Sequence, residues 1–156
     1  MKWFDGSELD VKQFTGESLC EKLSLEMWDS DSEQRAEFPD FIQSAMCIID
    51  FDTITNMEGF STPFFGEYTP EYYAQIIAAF RVIGDAQDAD ILAEALRLDA
   101  QYQEMSDSAA DDAESDRLSD ELSEKLSELE PGLYLNTDAD MWAMLYRWLD
   151  ENLQKL

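Results

Sequence analysis

Histidine is missing from this chain altogether, which removes the commonest general base and the commonest transition-metal ligand. Imidazole-based triads and zinc sites are therefore excluded. Basic residues are nearly as scarce: 10 Lys and Arg stand against 36 Asp and Glu in 156 residues, a formal charge of −26. Nucleic acid and anionic membrane are polyanions that such a field repels, so neither is expected as a direct partner. Cysteine is limited to Cys20 and Cys47, both in apolar helical stretches, and they read as free buried thiols. No stretch approaches the length of a membrane span, and no apolar run follows Lys2 near the amino terminus. The expectation is a cytoplasmic protein of a bacterium or phage.

What is present argues against disorder. Apolar residues make up 45% of the chain, and four Trp, six Tyr and nine Phe are far too many for an acidic tail. The length suits one acidic helical domain over 1–156. Thr15-Gly16 reads as the cap of a first helix over about 17–29, with Leu19, Leu23 and Met27 inward. Ser30 and Glu33 have capping-box spacing. A second helix is expected over about 38–55, where Phe38, Phe41, Ile42, Ala45, Met46, Ile49 and Phe51 follow the 3.6 period; Ile48 beside Ile49 implies burial on more than one side.

Residues 56–66 hold two Gly, one Pro and three Phe, the composition of a loop whose aromatics plug the core. Thr69-Pro70-Glu71 opens a third helix with Tyr72, Tyr73, Ile76, Ile77, Phe80 and Ile83 inward, and Gly84 closes it. A fourth runs from Ala86 to about Asp99, with Ala89, Leu92, Ala95 and Leu96 on one face. Pro131-Gly132 stops the helix before it, and Asn136-Thr137 caps a last helix over about 138–154. Its apolar face is Met141, Trp142, Leu145, Trp148 and Leu149, with both tryptophans expected in the core. No segment alternates with period 2, so the fold class is all-α with about six helices.

Composition shifts at residue 104. From Glu104 to Glu130 there are 11 acidic and two basic residues and no aromatic side chain beyond Tyr102. A helix is expected here from about Ala109 or later. Within it Asp112, Asp116, Asp120, Glu124 and Glu128 repeat at i+4, while Leu118, Leu122, Leu126 and Leu129 run two positions out of phase, roughly opposite. Such a helix docks by leucine and displays carboxylate. Row members rise about 6 Å per step, comparable with the roughly 6–7 Å between phosphates along one DNA strand. A charged outer face is also the ordinary solution to solvation. Against that, each like-charge i,i+4 pair opposes folding, so the four pairs together cost about 1–2 kcal/mol. The neighbouring line Glu114, Arg117, Glu121, Lys125 and Glu128 relieves part of it. The deficit also extends beyond this helix: between Arg35 and Arg81 there is no basic residue, yet Glu37, Asp40, Asp50, Asp52, Glu58, Glu67 and Glu71 occur.

Gly59-Phe60, Phe64-Phe65, Ala78-Ala79-Phe80, Ile83-Gly84, Ala89, Leu92-Ala93 and Ala95-Leu96 together form a pattern that resembles the core of the bacterial DNA-mimic-protein family, small acidic domains often of unknown function. Glu58 stands in place of the loop's first glycine. The resemblance implies a double-stranded-DNA mimic whose acidic surface occupies the DNA-binding face of another protein. The expected partner is a basic DNA-binding protein, such as a transcription factor, nucleoid protein or defence nuclease, bound by a monomer or homodimer. The candidate partner-binding residues are Asp112, Asp116, Asp120, Glu124 and Glu128, flanked by Asp111 and Glu121. An immunity-type module that binds a basic protein without imitating DNA is the alternative, and halophilic surface acidity on an ordinary helical domain is a third reading.

Other chemistry finds no footing in the residues. Asp50-Phe51-Asp52 and Asn136-Thr137-Asp138-Ala139-Asp140 begin like calcium loops, but both lack the required glycine at the sixth position. No phosphate-cradling glycine loop or activated nucleophile occurs. Neither enzymatic activity, nor a metal, nor a cofactor is expected.

Overall fold

The computed structural model describes residues 1–65 and 68–156, and the side chain of Phe65 is outside the description. Gly66, expected in the loop, and Glu67, counted among the acids, lie outside the described residues. Among the described residues, seven α-helices and several 3-10 turns make up the fold, with no strand beyond an isolated bridge between Lys2 and Glu8.

The third helix, α3 (Asp40–Glu58), is central because it is apolar around most of its circumference. Phe41, Ile42, Ala45, Met46, Cys47, Ile48, Ile49 and Phe51 are all buried, which fulfils the expectation raised by the adjacent isoleucines. On one side of α3 the chain stacks in sequence order: α4 (Pro70–Val82) against α3, α5 (Ala86–Asp107) against α4, and α6 (Asp112–Leu129) against α5. On the other side lie α1 (Gly16–Glu26) and α7 (Met141–Gln154), packed on each other and both touching α3. The remaining helix, α2 (Ser32–Ala36), is a short link between α1 and α3. Both cysteines are free and buried, and burial pushes the Cys20 thiol up to about 12 and Cys47 up to about 11.

Local chemistry sets most of the boundaries. Thr15 and Ser18 form a reciprocal capping box at the start of α1, Thr15 Oγ1 accepting from Ser18 N at 3.1 Å and Ser18 Oγ accepting from Thr15 N at 2.9 Å. Thr69 caps α4 with Pro70 in the first turn, and Gly84 ends the α4 segment at φ +94°, a left-handed conformation in which a side chain is strained. Elsewhere the expected boundaries shift. Asp31, not Ser30, caps α2, accepting from Gln34 N at 2.8 Å. The Ser30 hydroxyl is taken by Met27 O, to which it donates, and by Arg35 Nε, from which it accepts at 2.8 Å. Residues 56–58, expected in a loop, are the last turn of α3; Phe60 and Phe64 beyond them do fill the core. The calcium-like triplet Asp50-Phe51-Asp52 therefore sits inside a helix.

Two further corrections concern the second half. α5 does not stop near Asp99 but runs two turns farther, because Leu98 and Tyr102 are buried in its pairing with α6; Leu96 is only half-buried. The last helix begins at Met141 with Asp140 as its cap, accepting from Ala143 N at 3.0 Å. Asn136 instead ends a 3-10 turn, Tyr134–Asn136, and the Thr137 hydroxyl accepts locally from Ala139 N. Leu145 and Leu149 of α7 are fully buried, whereas Trp142 and Trp148 lie half-buried against the rim of the core.

Candidate acidic interface

Helix α6 is held at its start by its own acids. Asp111 Oδ1 accepts from Glu114 N at 2.9 Å, and Glu114 Oε2 accepts from Ala110 N at 3.0 Å, so two carboxylates satisfy amides that the first turn leaves open. Negative charge there also complements the helix dipole. Leu118, Leu122 and Leu126 are buried against α5, and Leu129 is half-buried. The Ser106 and Ser115 hydroxyls meet at 2.7 Å near the α5–α6 turn.

With the leucines turned inward, Asp112, Asp116, Asp120, Glu124 and Glu128 are all exposed. None of the five accepts a hydrogen bond or meets a cation among the described residues. The basic side chains nearby are engaged elsewhere or stand apart: Arg117 pairs with Glu121 at 3.4 Å, Arg97 with Glu94 at 2.6 Å, and Arg81 with Asp90 at 3.0 Å. The two flanking residues differ from the row. Asp111 is committed to its cap, and half-buried Glu121 is shared between Arg117 and the Tyr102 hydroxyl, whose pKa is raised by burial and by that carboxylate. The five row members thus have no partner among the described residues, whereas Asp111 and Glu121 are each already engaged within the protein.

At 3.6 residues per turn, each i+4 step advances about 40° around the axis as well as about 6 Å along it. The row is therefore a right-handed ribbon that turns through about 160° over its four steps. A B-DNA strand turns about 35° per nucleotide with a smaller rise but a larger radius. Similar charge-to-charge distances thus arise from a slim helix with a steep row and a wide helix with a shallow one.

Not every acid is displayed. Asp50 and Asp52, counted in sequence as part of the spread-out charge, are half-buried: Tyr72 Oη donates to Asp50 at 2.7 Å and Tyr134 Oη donates to Asp52. Beneath the C-terminal end of α6, Asp88 is 2% exposed and Asp85 is 5% exposed. Asp85 caps α5 by accepting from Asp88 N at 3.1 Å, and Asp88 Oδ1 accepts from Tyr134 N at 2.9 Å. Burial, then the neighbouring Asp85, pushes the Asp88 carboxyl up to about 8, the Tyr134 amide opposing. Asp85 Oδ2 is buried without a donor, and a proton on Asp88 supplies one to that carboxylate. Tyr134 ties these acids together, its ring 6.2 Å from that of Phe80 and its hydroxyl on α3. Gln87 Nε2 adds a bond to Gly132 O at 3.0 Å, so the turn after α6 is fastened to the start of α5. The sequence carries one local hint of this network, an Asp at the cap position before Ala86; its partners lie 46 and 82 residues apart.

The architecture is that of an all-helical protein with one helix given over to unpaired surface carboxylate. Residues 36–152 match the family model described as DMP19-like protein, and the chain belongs to that family of DNA-mimic proteins. No curated protein and no solved structure matches the chain. Among the described residues no helix is long and apolar enough to cross a membrane.

Proposed function

We infer that this chain binds a basic DNA-binding protein through the outer face of α6 and blocks that protein's access to DNA, acting by occupancy and not by catalysis, in the cytoplasm. Family membership supports a DNA-mimic role. The observation that carries the reading for this chain is the set of five exposed, unpaired carboxylates on α6, repeating along a right-handed ribbon. Long-range attraction to a basic groove steers the encounter, and the carboxylates then replace phosphate contacts. The partner is a transcription factor, a nucleoid protein or a nuclease; the shared requirement is a groove that accepts a negatively charged helix.

The test is capture from native lysate at low salt, followed by competition between this protein and duplex DNA for the captured partner. Mutual exclusion is expected, with a loss of at least tenfold in affinity when the row is changed to Asp112→Asn, Asp116→Asn, Asp120→Asn, Glu124→Gln and Glu128→Gln. Simultaneous binding of DNA and this protein would instead favour an immunity-type module. Capture of basic proteins at large, indifferent to the five changes, would sink the proposed site.

A further inference from the structure

The α1–α7 groove holds a feature that the acidic row does not explain. Gly16 lies so close to α7 that a Cβ there would stand 2.2 Å from Tyr146 O and 3.0 Å from Leu149 Cβ. Asp150 Oδ1 fastens the crossing, accepting from Gly16 N at 2.6 Å. Farther along this antiparallel pair the helices form an open depression of about 170 Å³ lined by Cys20, Glu21, Ser24, Ile49, Trp142 and Tyr146. Its floor is the buried Ile49 and Cys20; its walls are the half-buried rings of Trp142 and Tyr146, 6.2 Å apart and inclined at 33°.

The depression is apolar, yet its rim is anionic. Glu21 lines it, and Glu17 lies one helical turn earlier on α1; both carboxylates are exposed and neither has a cation among the described residues. Burial first, then the nearby Cys20, Glu17, Glu21 and Asp140, raise the pKa of the Tyr146 hydroxyl. The one lysine on α1, Lys22, is turned away, paired with Glu26 at 2.9 Å and 5.3 Å above the Trp3 ring. Two aromatic faces beside unpaired carboxylates match a planar cation: the rings attract it through their quadrupoles, and the carboxylates accept its N–H groups. A lysine ammonium, compact and strongly hydrated, uses the flat faces less well.

We propose that this depression receives an arginine side chain of a protein partner, the guanidinium stacked on Trp142 and Tyr146 and paired with Glu21, with Glu17 at the rim. The proposal rests on the reading of the partner as basic and gives that partner a second anchor, on the opposite side of α3 from the acidic row. Arginine and aromatic side chains are among those that carry most of the binding energy at protein interfaces.

The full-length protein labelled with ¹⁵N, titrated with N-acetyl-arginine amide and in parallel with the neutral N-acetyl-citrulline amide, tests the pocket alone. The indole signal of Trp142, assigned through Trp142→Phe, is expected to shift saturably in the millimolar range with the arginine compound only, while that of Trp148, outside the lining, does not. Glu17→Gln with Glu21→Gln, both at exposed positions, is expected to weaken the effect several-fold. Equal shifts with citrulline, no saturation, or an unchanged response in the double variant would overturn the proposal. Partner capture lost on neutralising the α6 row, with no arginine binding here, leaves the mimic reading standing and this pocket rejected. Arginine binding without competition against DNA leaves the reverse.

Discussion

The outer face of α6 and the ground beneath its C-terminal end are both built from carboxylates, and they behave in opposite ways. Asp112, Asp116, Asp120, Glu124 and Glu128 are exposed with no partner among the described residues, and like-charge neighbours at i,i+4 repel one another. Asp85 and Asp88 are buried and Asp52 is half-buried, and there the carboxyl groups are hydrogen-bonded architecture: burial and Asp85 push the Asp88 carboxyl far above the usual carboxylate range, and Tyr134 bridges two helices through its amide and its hydroxyl. Net charge is thus a poor guide to where the charge is. The comparison also separates cost from anchorage. The row weakens the fold it sits on, and the buried acids fasten the turn on which the end of that row depends.

The largest effect should come from breaking the buried side. Asp88→Ala keeps the backbone amide that Asp85 caps, but leaves the Tyr134 amide without its acceptor and the Asp85 carboxylate without the neighbouring carboxyl group in a site 2% exposed, and a loss of about 3 kcal/mol in denaturant unfolding is expected. Tyr134→Phe, which removes only the hydroxyl on Asp52, should cost about 1–2 kcal/mol. A loss no greater than that of a surface Asp→Ala change would show that the network is incidental.

A sharper probe uses the proton. The folded chain retains it on Asp88 up to about pH 8, while an unfolded chain releases it near the ordinary carboxyl value of 3.8. Between those values the native state binds more protons than the unfolded state, so this contribution to stability is complete at low pH and is lost as pH rises, reaching its end above pH 8. Each pH unit carries at most about 1.4 kcal/mol. The absence of histidine makes the upper half of this window easy to read, since no imidazole titrates in it. Asp88→Asn keeps an acceptor for Tyr134 and supplies a permanent donor for Asp85. Chemical unfolding at pH 6 and pH 8 should show wild type losing up to about 2–3 kcal/mol and the Asn variant losing far less. Equal slopes would show that the proton is elsewhere.

These differences follow what the sequence made legible. The apolar period marked α3, α4 and the leucine stripe of α6, because those positions obey a rule that neighbours in sequence enforce. The five row members emerged exposed for the same reason: the face opposite a buried stripe is determined by helix geometry. Asp111 and Glu121 were read as flanking the row, Glu121 already beside Arg117 in the alternating line; in the structure a cap and an ion pair engage them. Contacts that join distant segments were hidden. Nothing near Asn136 signals that Tyr134 is held by Asp88 and Asp52, and with that turn anchored the last helix starts at Met141. Asp31 and Ser30 are both good caps, and Arg35, reaching back to the Ser30 hydroxyl, decides between them. Trp142 follows the apolar period of α7, but its ring lies at the edge of the core beside Tyr146, a placement set by the crossing at Gly16.

The smallest change in stability should accompany the exposed side, and its sign is the opposite one. Replacing the five row acids by Asn and Gln removes four like-charge i,i+4 pairs, so α6 should gain about 1–2 kcal/mol, less the slightly poorer helix propensity of Asn. The same protein should lose its partner. The gain should shrink in high salt, because screening already weakens repulsion between exposed charges. Salt also separates a mimic from what it imitates. DNA carries one charge per about 1.7 Å of axis and sheds condensed counterions on binding, whereas the row has one per about 6 Å along a single face. Partner binding to this protein should therefore fall with salt, but less steeply than the same partner's binding to duplex DNA, measured as the slope of log affinity against log salt. Equal slopes would mean that far more of the acidic surface than α6 is engaged, and a row variant that becomes more stable without losing affinity would assign those five carboxylates to solvent alone.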